Sequence, residues 1–210
     1  MIAQKGNIYS AHQGLLEQLV QALRYLPGVG PRSAERLAYH LLQSKEHSKH
    51  LALTLQDALD NIKQCNLCNH YTQDEICIRC SDHKRDKLLL CIVETPQDLL
   101  AIEQSSVYKG LFYVLMGRLS PLDGIGPSEL AIDKLLHVIQ QNSVEEVILA
   151  LSPTVEGQTT LHYLQSILSS HVQTLSKLAQ GIPLGSELAA LDGLTLASAI
   201  SNRLVLPLQR

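Results

Sequence analysis

The sequence predicts an α/β multidomain chain. An N-terminal helical module leads to a small four-cysteine module, a mainly parallel α/β domain and a short C-terminal segment. Three observations carry this reading. Apolar residues recur at helical spacing up to about residue 62, four cysteines then fall in two close pairs, and from residue 88 short apolar runs alternate with helical stretches. At 210 residues, 45% apolar and 18% charged, the chain can bury a sizeable core and lacks a disordered or collagen-like composition.

In the first third, Leu15, Leu16, Leu19, Val20 and Leu23 form one helical stripe, and Ala34, Leu37, Ala38, Leu41 and Leu42 form a second. The short turn Leu26-Pro27-Gly28-Val29-Gly30-Pro31 separates them, and a third helix is expected from Leu51 to Ile62. Leu88 to Val93 is a continuous apolar run of the kind buried parallel strands show. A helix is expected after Pro96, a strand from Leu111 to Met116, a helix near Pro127 and a strand from Val147 to Leu151. A helix from Thr159 to Leu168 and a weaker strand from Val172 to Leu178 complete the pattern. Functional groups in such sheets gather beyond the C-terminal strand ends, which directs attention to Glu94 and to Ser152 through Glu156. The expected divisions are residues 1–55, 56–87, 88–175 and 176–210.

The formal charge of −3 excludes a uniformly basic protein that coats nucleic acid, but it is unevenly spread. Residues 1–64 carry a net +2, residues 65–90 are neutral and residues 91–210 carry −5. With no Trp, one Phe and seven Tyr, a base-stacking surface for single strands is poorly supplied. The longest apolar runs are six residues, against roughly 20 for a membrane span. No secretory leader is read at the N-terminus, and an odd count of five cysteines does not suit a fully paired disulfide scaffold, so a reducing cytoplasm is the expected compartment.

Cys65, Cys68, Cys77 and Cys80 form a C-x2-C, x8, C-x2-C array. Two-residue spacing lets paired thiolates curl round one ion, and four thiolates complete a tetrahedral zinc site with no position left for a reactive water. Disulfides are the alternative, disfavoured by the expected compartment. The segment is too short to fold on a core alone, so one structural Zn²⁺ should supply much of its folding free energy. Arg79, Lys84, Arg85 and Lys87 are placed to offset the cluster's formal −2. His70 and His83 are redundant as ligands, and Cys91, inside an apolar run, reads as an inert core thiol.

The turn Leu26-Pro27-Gly28-Val29-Gly30, followed by Pro31-Arg32-Ser33-Ala34, resembles the helix-hairpin-helix DNA-binding motif. Gly28 and Gly30 permit a tight turn and close approach of a phosphate. The second helix offers unpaired N–H groups to it, and Arg32 and Arg36, one helical turn apart, face away from the apolar stripe. Such contacts bind DNA without reading its sequence. The plainer alternative is an ordinary helix joint with two solvated arginines. A second turn, Leu122-Asp123-Gly124-Ile125-Gly126-Pro127, continues with Ser128 and Glu129; a carboxylate there repels phosphate, so it reads as a structural loop.

A glutamate after one strand and an acidic position after another resemble the Toprim domain of topoisomerases and primases, in which a glutamate and a D-x-D pair hold Mg²⁺. Here Ser152 and Thr154 stand at the aspartate positions, leaving only Glu94 and Glu156, a poor set of ligands for a hard cation. In their order along the chain, these features resemble the RecR family of bacterial recombination mediators. The resemblance rests on the Leu26 to Ala38 hairpin, the four cysteines, Val93-Glu94-Thr95-Pro96, Met116 through Pro127 and Pro153 through Gly157, with Gly181 through Leu188 and Asp192 through Leu196 in the tail. The family usually has Asn at Ser152; both are uncharged.

The resemblance implies a non-enzymatic role in DNA repair, with RecO and in many bacteria RecF, loading RecA onto single-stranded DNA covered by single-strand-binding protein. It also implies a ring-shaped tetramer, joined through its N- and C-terminal regions and wide enough to encircle DNA. By position, Arg32, Arg36, Gly28 and Gly30 become the DNA contacts, and Glu94 and Glu156 the contacts to RecO. The competing readings are a metal-dependent Toprim nuclease or primase and an adaptor that never touches DNA. His137 and His162 read as surface or packed histidines, Tyr9, Tyr25 and Tyr39 as packing residues, and Lys5 as part of the basic surface.

Overall fold

The computed structural model describes residues 14–120, 124–179 and 181–204. Lys5, Tyr9 and the Pro121-Leu122-Asp123 stretch lie outside them. The chain divides into two units, meeting in sequence between Ile62 and Lys63.

The first unit is three helices: α1 (Leu15–Arg24), α2 (Pro31–Gln43) and α3 (Lys45–Asn61). Ala34 and Ala38, both fully buried, lie on one face of α2, where small side chains allow close helix approach. They are the buried residues among those described in this unit. Leu15, Leu42, Leu51, Leu53, Leu55 and Leu59 are exposed, so much of the apolar stripe meets no partner within the unit. Helix α3 begins six residues before the expected Leu51. Its polar first turns lack apolar periodicity, yet Ser48 donates its hydroxyl to the Leu41 carbonyl at 2.6 Å and ties them to α2.

The second unit opens with an antiparallel pair, β1 (Lys63–Gln64) and β2 (Tyr71–Thr72), and the short helix α4 (Ile78–Ser81). There follow β3 (Asp86–Val93), α5 (Pro96–Gln104), β4 (Gly110–Val114), α6 (Ile132–Asn142), β5 (Glu146–Ala150), α7 (Val155–Leu168) and β6 (Thr174–Lys177). The strands form one parallel sheet in the order β4-β3-β5-β6. Alternate side chains of β3 serve two cores. Leu90 and Ile92 join Leu111, Tyr113 and Val147 and the apolar faces of α6 and α7; Cys91 and Val93 join Phe112, Val114 and Leu99 of α5. Burial on both faces explains why these strands read as continuous apolar runs.

From β3 the chain crosses by α5 to β4 on one side, and later reaches β5 on the other. The order therefore reverses between β3 and β5, whose C-terminal ends carry Glu94 and Ser152, and the crevice at such a reversal is where sites form. Helix α7 starts at Val155 rather than Thr159 because Thr154 caps it, accepting from the Gly157 N–H at 3.1 Å. A further helix, α8 (Gly193–Ser201), not foreseen as helical, is capped by Asp192. No residue described from 181 to 204 is buried, and Leu184, Leu194 and Leu204 are among the most exposed apolar side chains of that stretch. Among the described residues no helix is long and apolar enough to cross a membrane.

Candidate functional site

The Sγ atoms of Cys65, Cys68, Cys77 and Cys80 lie within 4.8 Å of one another, with Cys68 and Cys77 at 3.5 Å. A tetrahedron of sulfurs about 2.3 Å from a zinc ion has edges of about 3.8 Å, so the four thiols fit a four-coordinate ion. The β1–β2 pair brings the first knuckle into place, and Asn69, in the left-handed region at φ 63°, turns the chain back beneath it. The Cys77 N–H points at Cys65 Sγ at 3.3 Å. Hydrogen bonding to Cys68 draws the Cys65 thiol below its ordinary range, while bonding to Cys65 pushes Cys80 above it. Cys91 stays apart in the core, its thiol pushed up to about 12 by burial.

Two of the cations that the sequence placed beside the cluster, Arg79 and Arg85, line one small cleft with Cys68 and Cys80, where an acid holds both. Arg79 Nε donates to Glu103 Oε2 at 2.7 Å, and Arg85 pairs with the other Glu103 oxygen. Burial pushes the Glu103 carboxyl upward, but the hydrogen bonds and charges of the two arginines outweigh it and hold the group below its usual value. Arg85 also donates to the Gly110 carbonyl at 3.0 Å and lies 5.6 Å from the Phe112 ring centre. Glu103 thus ties both arginines to α5, and Arg85 is bound to β4 as well. Lys134 of α6 also reaches the cluster, donating to the Cys65 carbonyl at 2.8 Å and to Asn69 Oδ1 at 3.1 Å. No spacing rule pointed to it.

In the first unit, Gly28 takes φ +79°, and Val29 N–H closes the turn on the Leu26 carbonyl at 3.1 Å. Gly30 is the N-cap of α2 with Pro31 at its first position, and no side chain caps the helix or places an acid in its first turn. Nothing lies within 4 Å of where a Cβ would stand on Gly28 or Gly30. Arg32 and Arg36 are exposed beside this open helix end. The second glycine turn is built oppositely: Glu129 accepts from Gly126 N–H at 2.9 Å and from the Ser128 hydroxyl at 2.8 Å. The Ser128 bond draws the Glu129 carboxyl below its usual range, and the carboxylate fills the place an anion would take.

Glu94 is only 4% exposed. Its Oε1 accepts from the Ser152 N–H at 2.9 Å and its Oε2 from the Ser152 hydroxyl at 3.1 Å, with Arg118 Nη1 at 3.9 Å from Oε2. One residue thus engages both carboxylate oxygens. Gly157 packs so close that a Cβ there would collide with the Ser152 carbonyl oxygen and stand 3.0 Å from Glu94 Oε1. Glu156, half-buried at the start of α7, is the more accessible acid. His137 and His162 lie on α6 and α7, and neither belongs to a metal-competent cluster among the described residues.

Sheet, knuckles and helical unit together define a multidomain protein built on a Toprim sheet with an appended helix-hairpin-helix unit. Family models match accordingly: "Toprim domain" over residues 89–179, "RecR, helix-hairpin-helix" over 16–61 and "RecR, C-terminal" over 181–204. The chain belongs to the RecR family. It is 49% identical to Recombination protein RecR of Legionella pneumophila subsp. pneumophila, across 91% of this chain and 96% of that one. Its identity to the proteins of the same name is 48% in Xanthomonas oryzae pv. oryzae (90% of this chain, 96% of that one) and 46% in Hahella chejuensis (90% and 94%).

Proposed function

We propose that this chain is a non-enzymatic, DNA-binding recombination mediator in DNA repair. It acts with RecO, and RecF where present, to load RecA onto single-stranded DNA covered by single-strand-binding protein. The observation that carries the reading is the open N-terminus of α2: free backbone N–H groups, no carboxylate, and Arg32 and Arg36 exposed beside Gly28 and Gly30. The engagement of Glu94 by Ser152 supports the absence of metal-dependent catalysis, since a buried carboxylate already bonded at both oxygens is a poor Mg²⁺ ligand. Glu156, with Glu94 behind it, is the acidic contact for RecO.

The apolar surfaces of α1, α3 and the C-terminal segment favour self-association into the ring-shaped tetramer of the family. The four thiols hold one structural Zn²⁺ per chain, which a soft sulfur donor set favours. Residues 1–55, 56–87, 88–175 and 176–210 are the helix-hairpin-helix, zinc, Toprim and oligomerisation segments of a cytoplasmic, nucleoid-associated protein.

Salt-dependent anisotropy on labelled oligonucleotides tests the DNA contacts. Changing Arg32 and Arg36 to Ala should lower the slope of log affinity against log salt by about 1.4 on single strands or about 1.8 on duplex. Unchanged binding would favour the adaptor. Cleavage or primer synthesis with Mg²⁺ or Mn²⁺, lost in Glu94→Gln, would overturn the non-enzymatic reading.

A further inference from the structure

We propose that Lys134 is a positioning residue of the metal site, an ammonium from α6 that sets how firmly the four-cysteine cluster retains its ion. This rests on the metal reading of the cluster. The β1–β2 pair shapes the first knuckle from within, but both of its ligand-bearing carbonyls are also held by the sheet domain. The Cys68 carbonyl accepts from Val114 N–H at the end of β4, at 2.9 Å. The Cys65 carbonyl accepts from Asn69 N–H at 3.1 Å and from Lys134 Nζ at 2.8 Å. Asn69 completes the mounting. It is buried, its Nδ2 donates to the Val114 carbonyl at 2.8 Å, and its Oδ1 accepts from Lys134 at 3.1 Å.

The electrostatic requirement runs the same way. Four thiolates around a dication leave a formal −2, which costs most where the sulfurs are buried, as three of the four are here. Arg79 and Arg85 are committed to Glu103. Among the described residues, Lys134 is the cation that hydrogen-bonds the ligand-bearing backbone. Removing its charge strands Asn69 Oδ1, loosens the Cys65 carbonyl and leaves the cluster's charge less compensated, so the ion leaves faster. Groups of this outer kind commonly alter metal retention by about 10–100-fold.

The test is metal release from the full-length zinc-loaded chain into excess chromogenic chelator, well below the thermal unfolding midpoint. K134M, which keeps the stem and loses the donors and charge, should release zinc about tenfold faster than the unaltered chain. K134R should return the rate to within about threefold, because a cationic donor is restored. H137A, on the exposed face of α6, should leave it unchanged. Should K134M not fold, K134Q, which keeps a donor without charge, must still release faster. Release from K134M and K134Q at the unaltered rate, or from K134R as fast as from K134M, overturns the proposal. A chain that binds no metal at all removes the metal reading itself, a separate and recognisable result.

Discussion

Gly157→Ala sets two physical effects against each other. Gly157 is the third residue of α7, where helix propensity alone favours alanine by about 1 kcal/mol. Sterics oppose it. The new Cβ would collide with the Ser152 carbonyl oxygen and stand 3.0 Å from both the Ser152 carbonyl carbon and Glu94 Oε1. None of these atoms is the free end of a flexible side chain. Two are backbone, and the third belongs to a buried carboxylate held by Ser152. Relief requires the first turn of α7 to move away from the β5–α7 loop, at the expense of the 2.9 Å and 3.1 Å bonds between Ser152 and Glu94 or of the Thr154 cap. Forced overpacking of this kind costs about 3 kcal/mol at its upper end, so the net change is about 2 kcal/mol of destabilisation. In a chain of this length that lowers the thermal midpoint by about 4–8 °C. Circular dichroism melts and urea titrations measure it, and faster amide exchange at Ser152 locates the disturbance. An unchanged or raised midpoint in Gly157→Ala would refute the reasoning, because propensity would then have won.

Four further changes test other parts of the structure. Glu103 has a depressed folded pKa, so its contribution is complete above the ordinary carboxylate range and is lost as pH falls below it. Glu103→Gln should cost about 1 kcal/mol near neutrality after screening at a site 28% exposed, and should flatten the fall of urea midpoint with acid; an unaltered acid limb counts against the pairing. Ser143 ends α6 in the left-handed region at φ 52°, so Ser143→Gly should raise stability by roughly 0.5–1 kcal/mol in the same titration, and a loss would count against strain there. Glu94→Ala leaves the Ser152 N–H without its acceptor and should destabilise by about 1–3 kcal/mol, whereas Glu156→Ala, at a half-buried position, should change stability little. Glu156→Ala is therefore the cleaner variant for testing the proposed contact with RecO.

The alternation of apolar runs and helical stripes made the sheet domain legible, because strand and helix periods are local properties that repeat within a few residues. The paired cysteines and the Gly28–Gly30 turn were equally readable, since each is a short motif whose spacing carries its chemistry. Element starts were less so. Helices α3 and α7 begin earlier than their apolar patterns, because Ser48 and Thr154 hold polar or glycine-containing first turns that hydrophobic periodicity does not register. Thr154 ahead of Val155 was the available signal for α7.

The polar groups around the sites had no such local sign. The sequence by itself determined which faces are apolar, which thiols can share an ion and which helix end is left open to an anion. Only the tertiary structure decided that Ser152 engages both oxygens of Glu94, that Glu103 holds Arg79 and Arg85, and that Lys134 meets Cys65 and Asn69. The reason is physical. Hydrophobic burial favours any apolar face and can be read from periodicity, whereas a hydrogen bond or ion pair needs two particular atoms about 3 Å apart. Where those atoms belong to distant parts of the chain, the path of the backbone alone brings them together.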